Sequence, residues 1–163
     1  MATQKCIQMQ RITDHCEMMP MQIWSDDFSE GQPIPEKCAF RNDNLSPHLV
    51  WEDVPDGTKS LALICNDPDA PMGDWIHWLV HGIPAGVKEM ISGGQPPGVQ
   101  VKNDFGKHDW GGPAPPFGTH RYFFTLYALS VHTLENVDKN SFQEMCEKYK
   151  IESAQTIGTY TKE

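Results

Sequence analysis

Two short segments carry most of the residues able to do chemistry in this chain of 163 residues. The first reads Asp67-Pro68-Asp69-Ala70-Pro71-Met72-Gly73-Asp74-Trp75-Ile76-His77-Trp78. The second reads Gly111-Gly112-Pro113-Ala114-Pro115-Pro116-Phe117-Gly118-Thr119-His120-Arg121-Tyr122. Each sets a histidine at the start of an apolar run. In the first, two carboxylates precede a turn stiffened by prolines, whose fixed φ lowers the cost of reversing the chain. Such a turn can return Asp67 or Asp69 to the side of His77. Imidazoles oriented by a carboxylate can donate to an anionic oxygen. Two histidines and one carboxylate, here His77, His120 and Asp67, are also the ligand set of a facial-triad metal site, so a metal-dependent enzyme is the alternative reading.

The structural explanations of the same residues are weaker but real. A single histidine is as often hydrogen-bonded in a core as placed in a site, and Asp-Pro and Asp-Ala-Pro are turn formers in their own right. Two histidines beside a carboxylate-rich turn favour a site. His81, further along the strand of His77 and on its face, reads as structural, and His15, His48, His108 and His132 read as surface or loop residues. In a regular strand Arg121 points away from His120 and Tyr122, which suits an ion pair better than an anion ligand. Trp51, Trp78, Phe123 and Phe124 read as core. No catalytic residue is assigned: Thr119 lies near the site but lacks the strained glycine-flanked turn of a hydrolase nucleophile.

The elements that must position these residues read as mainly β. Apolar runs at 21–24, 49–54, 60–65, 76–83 and 121–131 are of strand length and are separated by turn clusters such as Pro55-Asp56-Gly57. The run at 121–131 is apolar on both parities, as suits a strand covered on both faces. Near the C-terminus Phe142, Met145, Cys146 and Tyr149 recur at helical spacing, and Ser141 with Glu144 has the form of a capping box. A further helical turn or two is expected from 151 towards Gly158. Residues 92–118 are rich in glycine and proline and read as a long functional loop.

Composition narrows the partners. Thirteen Lys+Arg against 22 Asp+Glu give a net charge of −9, which repels a polyanion, so nucleic acid is not expected. No run approaches the roughly 18 apolar residues of a membrane span, and the first residues lack the apolar core of a signal peptide. A soluble, cytoplasmic protein is expected. Cys6, Cys16, Cys38, Cys65 and Cys146 never form a CxxC pair and read as reduced thiols. Residues 1–17 read as an N-terminal arm, and 18–163 as one domain.

Taken together, the two segments resemble the signature blocks of the phosphatidylethanolamine-binding protein family, also called Raf kinase inhibitor-like proteins, in its bacterial and archaeal branch. Phe28-Ser29-Glu30-Gly31-Gln32-Pro33-Ile34-Pro35, Asn44-Leu45-Ser46-Pro47-His48-Leu49-Val50-Trp51 and Asn103-Asp104-Phe105-Gly106 extend the likeness over roughly residues 18 to 160. The resemblance implies a β-sandwich-like fold with a few short flanking helices. It also implies a shallow pocket for phosphate, acetate or a phosphorylated lipid headgroup, with no cofactor. Carried over by position, the pocket would be lined by Asp67, Asp69, Pro71, Trp75, His77, Gly112, His120 and Tyr122. In such a pocket Gly112 would let backbone amides approach the anion, Tyr122 would supply a hydroxyl and Trp75 would exclude water. A kinase or protease target and a homodimer are further implications. Two departures limit them. Ala114 stands where relatives often carry Cys or Pro, and Met72-Gly73-Asp74 is much shorter than the corresponding segment of eukaryotic members.

Overall fold

The backbone of residues 60–67 and 118–129 lies in the interior of the larger of two antiparallel sheets, as apolar character on both parities predicts for the run at 121–131. The computed structural model describes residues 19–162, so the arm at 1–17, with Cys6, Cys16 and His15, lies outside the described residues. The strands are β1 (Gln22–Trp24), β2 (Leu49–Glu52), β3 (Ser60–Asp67), β4 (Trp75–Pro84), β5 (Glu89–Met90), β6 (Val99–Gln100), β7 (Gly118–Leu129) and β8 (Lys150–Lys162). One 3-10 turn (Glu36–Cys38) and one α-helix, α1 (Phe142–Tyr149), complete the regular structure among the described residues. The smaller sheet has the order β1-β2-β5 and the larger β6-β4-β3-β7-β8.

Alternation along the strands divides the apolar residues into two cores. Leu61, Leu63 and Cys65 of β3 and Tyr122, Phe124 and Leu126 of β7 face the smaller sheet, where Ile23, Leu49 and Trp51 close the sandwich. On the other face Ala62, Ile64, Leu79 and Tyr127 pack under Phe142 and Cys146 of α1. The mainly β expectation holds.

Two local expectations do not. Residues 151–158 are not helical: β8 pairs with β7 along its whole length, from Gly118↔Lys162 to Leu129↔Lys150. A strand as long as β7 presents a row of backbone donors and acceptors that must be paired, and this outweighs the weak local preference of Ile151-Glu152-Ser153-Ala154. Ser141 makes no side-chain cap for α1. Asp138 instead orders the turn that leads into α1, its Oδ1 accepting the amides of Asn140 (2.9 Å) and Ser141 (3.0 Å). The loop at 92–118 contains the short strand β6, which pairs with β4 through Val80↔Gln100 and His81↔Val99.

Candidate functional site

Three adjacent strands bring the two signature segments together: β3 ends at Asp67, β4 starts at Trp75 and β7 starts at Gly118. Because β3 runs antiparallel to both neighbours, all three of these ends lie at one end of the sheet. On β7 the alternation that buries Tyr122 and Phe124 also turns His120 to the sandwich face, and on β3 Asp67 follows Leu63 and Cys65 onto the same face. There His120 Nδ1–H donates to Asp67 Oδ2 at 2.7 Å. Both residues are buried. The second oxygen of Asp67 accepts the Asp69 amide at 2.8 Å, closing the turn. The carboxylate therefore orients His120, and not His77 as the turn alone suggested.

His77 owes its position to a β-bulge. The β3–β4 register passes from Cys65↔Trp78 to Asn66↔Ile76, leaving His77 as the extra residue. His77 and Trp78 consequently share the sandwich side, where their rings meet Tyr122 and Trp110. The bulge also overturns the expectation that His81 shares the face of His77: His81 lies on the helix side, 3.0 Å from Thr133 Oγ1 and against Phe142.

His77 Nδ1–H donates to the Gly111 carbonyl at 2.6 Å, and its own carbonyl accepts from the Gly111 amide (3.1 Å) and Asn103 Nδ2 (3.0 Å). Nε2 is left buried with no hydrogen-bond partner among the described residues. Burial pushes the His77 pKa below the ordinary histidine value, against the opposing pull of the Gly111 carbonyl and of Asp67. At neutral pH burial favours the neutral ring, with its proton on Nδ1.

Above these side chains opens a cavity of about 380 Å³. Its polar floor is Asp67, His77 and His120, and among the described residues no lysine or arginine lines it. Pro71, Met72, Trp75 and Phe105 form one wall, and Ala114, Pro115 and Pro116 the other. Of the eight residues expected in the pocket, Asp67, Pro71, Trp75, His77 and His120 line it.

The other three sit elsewhere. Asp69 is held by Arg121, whose Nε and Nη2 reach its two oxygens at 2.9 Å each while the Arg121 amide adds a third bond at 3.0 Å. The Arg121 guanidinium beside it lowers the Asp69 pKa to about 2. Arg121 thus forms the expected ion pair, and the pair removes Asp69 from the cavity. Gly112 offers no free amide, since its N–H donates to Asn44 Oδ1 at 2.8 Å. It must be glycine because a Cβ there would stand 1.9 Å from the Cys38 carbonyl oxygen. Tyr122 is fully buried beneath the floor, edge-on to His77. Its hydroxyl has no partner of hydrogen-bond geometry. Burial first, and Asp67 second, push its pKa up, against the opposing pull of the Ala114 amide.

Sequence reasoning missed Phe105 in the wall, and Asn103, whose side chain also bonds the amides of Phe105 and Lys107 and so ties the loop to His77. The run Asn103-Asp104-Phe105-Gly106 was the available signal. The facial-triad reading fares worse. Asp67 and His120 are engaged with each other, and among the described residues no three His, Cys, Asp or Glu side chains are placed to hold a metal ion.

Comparison with known proteins identifies the family of this fold. The family model for phosphatidylethanolamine-binding protein matches residues 24–161. The chain is 42% identical to a UPF0098 protein of Chlamydia pneumoniae over 87% of this chain and 99% of that one. It is 43% identical to the UPF0098 protein YbhB of Escherichia coli over 71% of this chain and 82% of that one. The crystal structure of the phosphatidylethanolamine-binding protein homologue CT736 from Chlamydia trachomatis superposes with a TM-score of 0.83 at 38% identity, covering 88% of this chain and 99% of the other. The chain therefore belongs to the phosphatidylethanolamine-binding protein family.

Proposed function

We propose that this protein is a binding protein that holds a small anion, phosphate, acetate or a phosphorylated headgroup, in the cavity above Asp67, His77 and His120. The observation that carries the reading is His77, which lines the cavity and whose buried Nε2 has no hydrogen-bond partner among the described residues. Leaving such an atom unsatisfied costs roughly 1–3 kcal/mol, a cost that a ligand hydrogen bond removes. The low-polarity walls support it further, because they strengthen any hydrogen bond made at the floor. No nucleophile paired with a base lies among the lining residues, which favours binding over covalent turnover.

The role in the cell follows the ligand. Regulation of a kinase or protease by contact, which the family resemblance implies, would use the cavity mouth, where Met72 is 94% exposed. Cys38, Cys65 and Cys146 are buried free thiols, which supports a reducing, cytoplasmic setting. Among the described residues no helix is long and apolar enough to cross a membrane. The test is titration with orthophosphate and phosphorylethanolamine while the imidazole signals are followed by NMR. Shifts at His77 and His120 are expected, and unchanged signals at both would overturn the proposal.

A further inference from the structure

The free edge of β8 is covered by residues 30–34, but the cover stops short of the strand's end. The Gly31 amide donates to the Ile157 carbonyl (2.7 Å) and the Ile34 amide to the Thr159 carbonyl (2.7 Å), while the Thr159 amide donates to the Gln32 carbonyl (3.0 Å). Glu30 accepts the Ile157 amide at 2.7 Å. The backbone groups of Ile157 and Thr159 therefore point away from β7, and since this direction repeats at every second residue of a regular ladder, those of Thr161 do so too. Among the described residues nothing meets them. After Ile34 the chain leaves for the 3-10 turn at Glu36–Cys38, and Thr161 bonds only through its side chain, to Thr119 Oγ1 at 2.7 Å.

Thr161 lines a groove of about 840 Å³ that shares its Ala114-Pro115-Pro116 wall with the cavity described above. Pro33, Pro115 and Pro116 have no N–H, so these walls offer apolar surface and no competing backbone donor. The carboxylate of the groove, Glu36, is occupied: its Oε2 accepts from the Tyr160 hydroxyl at 2.7 Å and from Asn42 Nδ2 at 2.9 Å. Arg41 and Lys162 also line the groove, and neither has an acidic partner among the described residues. The groove is thus locally positive in a chain of net charge −9. An open strand edge gives main-chain affinity to an extended peptide, and the side chains around it set which peptide. We infer that this groove docks an extended acidic segment of a partner protein, whose main chain pairs with Thr161 where residues 30–34 leave β8 and whose carboxylates meet Arg41 and Lys162. The inference is independent of any anion in the neighbouring cavity.

The test is NMR titration of the nitrogen-15-labelled full chain with an acetylated, amidated hexapeptide of alternating glutamate and valine. The Thr161 amide should shift on binding. The same peptide with lysine for glutamate should bind at least about tenfold more weakly, and the paired change Arg41→Glu and Lys162→Glu should cost a similar factor. Added salt should weaken the glutamate peptide further. Thr161→Pro removes the outward N–H without removing a β7–β8 hydrogen bond, so it should weaken binding while the urea midpoint stays near that of the parent. A backbone N-methylated glutamate peptide, which cannot donate to the Thr161 carbonyl, reads the same contact with the protein unchanged and should also bind more weakly. No shift at Thr161, equal or tighter binding of the lysine peptide, or undiminished affinity in the charge-reversed protein or for the N-methylated peptide overturns the inference. A Thr161 shift that follows protein concentration with no peptide present assigns the groove to a second copy of the chain and overturns it as well.

Discussion

His120 Nδ1 and Asp67 Oδ2, 2.7 Å apart, join the start of β7 to the end of β3 directly beneath the cavity. Neither is exposed enough for water to replace the other, at 6% and 3%. Asp67→Asn keeps the shape of the side chain but exchanges a charge-assisted hydrogen bond for a neutral one. We expect it to lower the unfolding free energy by about 2 kcal/mol, read by urea denaturation. A loss near zero would mean that the pair orients nothing.

Burial holds His77 below the ordinary histidine range, and the same cause holds His81 there. With both folded values depressed below an unfolded value of about 6.5, the unfolded chain binds more protons once the pH falls beneath that point. Their contribution to stability is thus full above about pH 6.5 and is lost as pH falls through the folded values. Unfolding free energies measured in phosphate-free buffer at about pH 7.5 and 5.5 should fall on acidification, by up to about 1.4 kcal/mol per pH unit for each histidine. His77→Leu should reduce that slope, and an unchanged slope would show that folding does not lower the His77 pKa.

Asp69 behaves in the same sense at a lower pH. Its folded pKa of about 2 lies below the unfolded value of about 3.9, so its stabilising effect is present above about pH 4 and lost as pH falls towards 2. Arg121→Ala should raise the Asp69 pKa to the ordinary range, as followed by carboxyl NMR. It should leave phosphate affinity within about twofold, because this exposed pair stands outside the cavity. A tenfold loss of affinity would place the pair in the site after all.

The Tyr122 hydroxyl is buried without a good partner. Tyr122→Phe removes that burden while keeping the ring that packs edge-on against His77. We expect denaturation to show unchanged or slightly higher stability, by up to about 1 kcal/mol. A clear loss would reveal a partner for the hydroxyl.

How much of this could be read beforehand differs residue by residue. Strands β1 to β4 and β7 were legible because their apolar residues recur at strand spacing between strong turn signals. β8 was not, because Thr156, Gly158 and other small or polar residues occupy its inward positions and leave no apolar alternation to detect. Asp67, His77 and His120 were legible as a set through motif likeness. Their hydrogen bonding was not, since the bulge at His77 changes which face each later residue of β4 takes and so separates His77 from His81. Asp69 and Gly112 match the motif for reasons of support: one anchors Arg121, and the other allows two backbones to meet. A pattern of residue types does not separate a wall from the structure behind it.

Whether an anion sits on the floor formed by Asp67, His77 and His120 is tested most directly by a crystal structure of the protein grown with orthophosphate. The account predicts a phosphate with one oxygen within hydrogen-bond distance of His77 Nε2 and another beside the His120 ring, and with no rearrangement of the 2.6 Å bond between His77 and Gly111. A cavity holding only water, with phosphate bound elsewhere or not at all, would contradict it.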